Sequence, residues 1–179
     1  LIDMNNSGGV RVGIRNTVPA WNLTSFYSSY NDGKFHYAIL TYNDSTKNIS
    51  LYIDGDLKES LLFVGSINNV NTTFRIGSRN PLASNFNGSI DDVMIFNRAL
   101  TPNEIRDLYE RSYILPPAPA CPDGSCNGGE TFVTCPSDCG FNTIPGIVSW
   151  WRFNETDGSL TLDSKDSNIG NIFGNTRLL

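Results

Sequence analysis

The clearest alternation of apolar and polar positions falls at Ile49, Leu51 and Ile53, which are separated by single, more polar residues. This period of two is typical of a half-buried β-strand. The β-rich runs around it cover residues 35–42, 48–53 and 57–64. An Asp54-Gly55 pair, a common two-residue turn, separates the last two runs. The pattern therefore predicts an antiparallel meander of three strands.

Four further runs predict strands, and one stretch predicts a helix. The predicted strands cover residues 10–15, 20–30, 73–77 and 89–96. The helix begins at Thr101, because Thr101 and Glu104 form a capping-box pair with Pro102 in the first turn between them. Ile105 and Leu108 would then form a short apolar stripe on one face.

Residues 20–30 hold four aromatic rings separated by small polar residues: Trp21, Phe26, Tyr27 and Tyr30. A ring face packs well on a pyranose, so a sugar-stacking platform is one interpretation. The other is a strand that buries its rings between two sheets. We favour the buried strand.

Several motifs resemble a known family, in the order in which that family has them. They are Gly-Lys-Phe-His-Tyr-Ala-Ile at 33–39, Leu-Tyr-Ile-Asp-Gly at 51–55, Phe-Arg-Ile-Gly at 74–77, and the run from Phe86 to Leu100. Together they resemble a laminin G-like domain, the concanavalin A-like lectin jelly roll, over about residues 8–110. One departure is Phe35, where the family usually has Trp. The resemblance implies an all-β, antiparallel jelly-roll β-sandwich with a short C-terminal helix.

Residues 113–145 read as a proline-rich linker followed by a four-cysteine module. The cysteines are Cys121, Cys126, Cys135 and Cys139. A segment this poor in apolar residues cannot hold a fold by burial, so we expect two disulfides. Three pairings are open, and the overlapping one, Cys121–Cys135 with Cys126–Cys139, is slightly favoured. The module resembles small cysteine modules of secreted prokaryotic proteins, which often carry an additional pair of cysteines.

Residues 146–179 resemble the first strand and following loop of a second laminin G-like domain. Residues 1–112 would form a sandwich that lacks its first strands, and such a sheet exposes unpaired backbone groups. We therefore expect residues 147–153, with Trp151 and Phe153 on one face, to complete a sheet by strand pairing. A neighbouring copy is the favoured acceptor, which would give a filament. The chain's own domain, or residues of a longer polypeptide, are the alternatives.

No catalytic motif stands out. His36 is the sole histidine, so a Ser-His-Asp triad would depend on it, and we assign it a structural role. Glycosidases of this sandwich need two carboxylates on one strand face, whereas Asp91 and Asp92 are adjacent and point to opposite faces. The sequence therefore predicts no enzyme activity.

A structural calcium ion is the one cofactor that the sequence suggests. Calcium prefers six to eight oxygen ligands, and one Gly-containing loop is rich in them. The predicted ligands are Asp163, Asp166, Asn168 and Asn171, with Asp92 brought near by the family's strand order. A turn whose Asp and Asn side chains bond their own backbone is the alternative. A weaker second set in the cysteine module is Asp123, Glu130 and Asp138.

Charge and sequons indicate an extracellular protein. Charged residues make up 17% of the chain and the net charge is −5, so no basic footprint for nucleic acid exists, and no run is long enough to span a membrane. Asn-x-Ser/Thr sequons begin at Asn5, Asn22, Asn43, Asn48, Asn71, Asn87 and Asn154. With the clustered cysteines, they predict a secreted or surface-bound glycoprotein.

The predicted function is a non-enzymatic binding or structural module. It would be a tandem repeat of an adhesin or surface filament, with copies of itself, neighbouring domains, carbohydrate or surface proteins as partners. The alternative is an accessory carbohydrate-binding domain of a secreted glycan-degrading enzyme. The abrupt start at Leu1 also suggests a piece of a longer polypeptide.

Overall fold

The computed structural model describes residues 2–5, 8–15, 21–65, 67, 74–80, 83–114, 145–153, 160–165 and 168–171. Strands in these ranges pair antiparallel throughout. They are β1 (Ile2–Met4), β2 (Val10–Arg15), β3 (Trp21–Leu23), β4 (Ala38–Asn43), β5 (Asn48–Ile53), β6 (Asp56–Leu62), β7 (Ser78–Asn80), β8 (Ala83–Asn85), β9 (Val93–Phe96), β10 (Ile147–Trp151), β11 (Leu160–Leu162) and β12 (Ile169–Asn171). The described helix is α1 (Pro102–Ile114).

The chain divides into two compact units, each built from two separated stretches. Unit 1 combines Leu1–Thr73 with Arg98–Leu115, and unit 2 combines Phe74–Asn97 with Pro116–Leu179. The predicted division into 1–112, 113–145 and 146–179 runs consecutively along the chain and stays a prediction. Unit 2 thus contains both the last strand of the laminin G-like part and the segment that follows the cysteines.

The described residues of unit 1 form a sandwich of two three-stranded sheets, ordered β1-β2-β3 and β4-β5-β6. Its core joins Val12 of one sheet to Ile49, Leu51 and Ile53 of the other, and all four side chains are fully buried. Burial of each such side chain stabilises the folded state by about 2 kcal/mol. The meander predicted from the alternation at β5 is confirmed, and the all-β, antiparallel sandwich is the observed fold class.

A two-residue turn fixes the register between β5 and β6. Asp54 and Gly55 have φ angles of 54° and 79°, the left-handed pair that a type I′ hairpin turn requires. The turn places Ile53 opposite Asp56, and a bulge between Leu51 and Tyr52 then shifts the register, so that Ile49 lies opposite Leu61. A Cβ added at Gly55 would lie 3.0 Å from the ring of Tyr109, so α1 packs closely against this turn.

Helix α1 begins where the capping box predicted. The Thr101 backbone N–H donates to Glu104 Oε2 at 2.8 Å, and the Glu104 N–H donates back to Thr101 Oγ1 at 3.3 Å. Ile105 and Leu108 are buried, as the apolar stripe indicated. Arg98 adds a two-bond ion pair to Glu104, at 2.9 and 2.6 Å. These bonds hold the pKa of Glu104 down to about 2.

In the described part of unit 2, the strands form three two-stranded pairings: β9 with β10, β7 with β8, and β11 with β12. The β11–β12 hairpin lies in the Asp- and Asn-rich stretch that we expected to be a loop. Its Thr161 and Asp163 are buried, while Leu160, Leu162 and Ile169 are exposed.

The strand predicted at 89–96 is shorter in the structure, at Val93–Phe96, and Asp92 just before it has a positive φ of 46°. Two further predicted strands also differ from the observed ones. Residues 20–30 form a strand only at β3, after which Tyr27 makes a single bridge to Val10. The strand expected at 73–77 lies later, at β7, because Gly77 adopts a left-handed φ of 71° and breaks the extended run. At residues 20–30 and 73–77, the local β propensity predicted more strand pairing than the tertiary structure contains.

Candidate functional site

Strand β10 pairs with the last strand of the laminin G-like part. Trp151 lies opposite Val93, Trp150 opposite Met94, and a bulge between Ile147 and Ser149 shifts the register. The prediction that residues 147–153 pair with a sheet is therefore confirmed. Here the acceptor is β9 of the same chain, which was one of the alternatives, and the strand ends at Trp151, before Phe153. Pairing with a neighbouring copy, which we favoured, stays a prediction.

The Trp150 side chain anchors β10 to the residue before β9. Its indole N–H donates to Asp92 Oδ1 at 3.0 Å, and the Arg152 guanidinium lies 4.8 Å from its ring centroid. Burial raises the pKa of Asp92 above its ordinary value, and the neighbouring Asp91 charge adds to that rise. On the next residue, the Trp151 ring stacks on Phe74 with centroids 5.7 Å apart. Two aromatic side chains thus hold β10 in place within unit 2.

Asp163 anchors the other side of β10. Its Oδ1 accepts the Trp150 backbone N–H at 2.8 Å and the Lys165 N–H at 2.9 Å, and its Oδ2 accepts from Asn168 Nδ2 at 2.9 Å. Only 7% of the Asp163 surface is exposed. Burial acts to raise the pKa of Asp163, but the hydrogen bonds, led by the one from Trp150, outweigh it, and the pKa lies below its ordinary value.

The predicted calcium ligands are only partly described. The carboxylates of Asp163 and Asp92 accept protein N–H groups, and the bond from Lys165 to Asp163 is that of an Asx turn. Asp166 and the Asn171 side chain lie outside the described residues. Within the described ranges, no group of three or more His, Cys, Asp or Glu side chains could hold a metal. The described side chains fit the alternative of a hydrogen-bonded Asp- and Asn-rich turn better than a calcium site, and calcium binding stays a prediction.

In unit 1, His36 lies between two carboxylates. Its Nδ1 is 2.8 Å from Asp54 Oδ2, and its Nε2 is 2.9 Å from Asp32 Oδ1. The Tyr30 ring packs edge-on against the imidazole, with centroids 5.0 Å apart. The sequence showed His36 but not its partners. The sequence feature that could have indicated these partners is an Asp-Gly turn pair on each side of His36, at 32–33 and 54–55.

The aromatic run at 20–30 is split between surface and core. Phe26 is 40% exposed, and the Arg11 guanidinium lies 4.2 Å from its ring centroid. Tyr27 and Tyr30 instead pack against the core of unit 1. The predicted burial thus holds in part for these two tyrosines and not for Phe26, and the Trp21 side chain lies outside the described residues.

The remaining predicted sites are described in part. Asn5, Asn43, Asn48 and Asn87 are exposed. The side chains of Asn22, Asn71 and Asn154, and all four cysteines, lie outside the described part of the chain. Use of the sequons and pairing of the cysteines stay predictions. No helix in the described ranges is long and apolar enough to cross a membrane.

The family comparison agrees with this sandwich. A laminin G family model, described as "Concanavalin A-like lectin/glucanases superfamily", matches residues 1–106. The chain belongs to this superfamily. The match covers most of unit 1 and the strand β9 that accepts β10, so the pairing joins a family strand to residues beyond the matched range.

More distant comparisons add little to this assignment. No curated protein matches the chain. A crystal structure of an S-layer domain-containing protein (residues 221–444) from Clostridium thermocellum ATCC 27405 is similar at 21% identity, with a TM-score of 0.34. The likeness covers 57% of this chain and 52% of that one, so the chain spans about half of that structure.

Proposed function

We propose that this chain is a non-catalytic, extracellular module for binding or for building a surface structure, completed by strand donation. The observation that carries the proposal is the pairing of β10 with β9. β10 follows the cysteine segment in the sequence, yet it is paired with a strand that precedes α1. A strand supplied from beyond a linker is the arrangement that donor-strand assembly uses.

The same contacts serve donation between copies. The register from Trp151–Val93 to Ile147–Phe96 and the Trp150–Asp92 bond involve only β10 and the edge that accepts it. A β10 from a neighbouring copy would meet identical partners, and repeated head-to-tail exchange generates a filament. Extracellular location is supported by the clustered cysteines and the exposed sequons.

The non-catalytic part of the proposal rests on the carboxylates. Glycoside hydrolysis needs two carboxyl groups that flank one glycosidic bond. Asp91 Oδ1 accepts the Asp92 backbone N–H at 2.8 Å, and Asp92 Oδ1 accepts the Trp150 indole N–H. Both groups are engaged in holding the start of β9 and its partner strand, which supports a structural role.

Cutting the linker tests the donated strand. A protease site placed among residues 116–120 of the full chain is cleaved after folding, and the product is examined by size-exclusion chromatography. We expect the C-terminal piece to stay bound, and to exchange into a tagged second copy added in excess. Immediate loss of the piece from the cut protein would refute the proposal. A matched chain carrying Trp150→Ala should release the piece faster.

The accessory carbohydrate-binding role is favoured by one observation, the exposed Phe26 ring beside Arg11. Exposed aromatic rings are the surfaces on which sugar faces pack. A glycan array with the wild-type chain and Phe26→Ala tests this role. The role is supported if the wild-type chain binds a glycan and Phe26→Ala abolishes that binding. It is ruled out if the wild-type chain binds no glycan on the array.

A further inference from the structure

The two contacts of His36 require a particular protonation state. Ionised carboxylates only accept hydrogen bonds, and a neutral imidazole carries a single N–H. Asp54 Oδ2 and Asp32 Oδ1 lie 2.8 and 2.9 Å from the two ring nitrogens, so both contacts form only when both nitrogens are protonated. We propose that His36 is a pH-dependent latch, which joins the segment around Asp32 to the β5–β6 turn while protonated and releases it when deprotonated.

The two carboxylates are not equally held, which decides where the latch opens. Asp54 Oδ1 also accepts the Tyr37 backbone N–H at 3.0 Å, and the Asp54 N–H donates to the Tyr37 carbonyl at 3.0 Å. Asp32 is tied within its own turn, through the Lys34 N–H at 3.0 Å, and its side chain is 39% exposed. The neutral ring should therefore keep its N–H on Asp54 and turn a lone pair toward Asp32. The 32–34 turn is the part released.

The surroundings of the ring favour the protonated form. The charged groups that face it are Asp32 on its own segment and Asp54 on the β5–β6 turn, while Lys34 pairs with Asp32 at 3.8 Å. Burial acts to lower the pKa of His36, but the hydrogen bonds and charges of Asp54 and Asp32 outweigh it and raise the pKa.

The direction of the pH effect follows from that raised pKa. An unfolded histidine titrates near 6.5, so the latch contributes its full stability below about pH 6.5. The contribution is lost as the pH rises through the higher pKa of the folded state. This device is independent of the strand pairing in unit 2, and neither proposal depends on the other.

Since the chain has a single histidine, NMR reads the latch directly. The ring shifts of the full chain are followed from pH 5 to 9 in the wild type and in Asp32→Asn, Asp54→Asn and Asp56→Asn. We expect a wild-type pKa above 6.5, lowered by the first two substitutions and unchanged in Asp56→Asn, the control. If Asp54→Asn fails to fold, Asp32→Asn on the exposed turn carries the test. A wild-type pKa at or below 6.5, or one that Asp32→Asn leaves unchanged, overturns the proposal.

Trypsin reports the opening itself, because Lys34 lies in the released turn and Lys47 lies in the separate β4–β5 turn. Taking the ratio of cleavage after Lys34 to cleavage after Lys47 cancels the pH dependence of the protease. The ratio should rise several-fold between pH 6 and pH 8.5 in the wild type, and stay high and flat in Asp32→Asn. A constant wild-type ratio overturns the latch.

Discussion

Replacement of Asp163 by alanine is the perturbation that most directly probes how β10 is held. The substitution removes the acceptor of the Trp150 N–H, the Lys165 N–H and the Asn168 amide at once. A buried donor left without a partner costs about 1–3 kcal/mol, and the two other donors are partly exposed and so cost less. We expect Asp163→Ala to lower the free energy of unfolding by about 2–4 kcal/mol.

Urea unfolding followed by tryptophan fluorescence measures this change, because Trp150 and Trp151 lie on the affected strand. Asp56→Ala is the matched control, since that carboxylate is 76% exposed and makes one ion pair with Lys58 at 3.4 Å. The control should change stability by about 0.5 kcal/mol or less. Equal effects of the two substitutions would contradict the anchoring role of Asp163.

Asp163→Asn adds a pH test of the same role. The folded pKa of Asp163 is lowered, so its charge contributes stability above its unfolded value of about 4. That contribution is lost as the pH falls through the folded pKa. The stability gap between wild type and Asp163→Asn should therefore be constant above about pH 5 and shrink below about pH 4. A gap that persists unchanged into strong acid would refute the assigned hydrogen bonds.

Three further predictions concern the cap, the cysteines and calcium. Glu104→Gln should cost about 1 kcal/mol at pH 7 in thermal melts, an effect that disappears as the pH falls toward 2, whereas Glu110→Gln on the same helix should have almost no effect. Alkylation without reductant should label none of Cys121, Cys126, Cys135 and Cys139; labelling of any one contradicts two disulfides. If calcium binds the Asp163 loop, a chelator should lower the melting temperature of the wild type and leave that of Asp163→Ala unchanged. An unchanged wild-type melting temperature would contradict calcium binding.

The elements that sequence predicted well are those whose signals are local. The alternation at Ile49, Leu51 and Ile53 predicts β5 with its observed bounds, and the Thr101–Glu104 box predicts the start of α1. Asp54-Gly55 predicts its turn because few residue pairs adopt two positive φ angles. In each case, the residues that determine the structure are neighbours in sequence.

What the sequence did not reveal depends on contacts between distant residues. Asp92 and Trp150 are 58 positions apart, and His36 and Asp54 are 18 apart. Neither pair has a spacing that marks it, so their hydrogen bonds appear only once the strands are in register. The β11–β12 hairpin was missed for a different reason, because Asp and Asn are depleted in strands and its buried face carries Thr161 and Asp163.

Cross-strand cysteine trapping tests the strand pairing most directly. Ser149→Cys with Ile95→Cys places two thiols at partner positions of β10 and β9, and Ser149→Cys alone is the control. After mild oxidation, peptide mass mapping should find the 149–95 disulfide, within one chain when β10 returns to its own β9 and between chains when it is donated to a copy. Failure of the double variant to form this disulfide, in monomer or oligomer, would contradict the pairing on which the account rests.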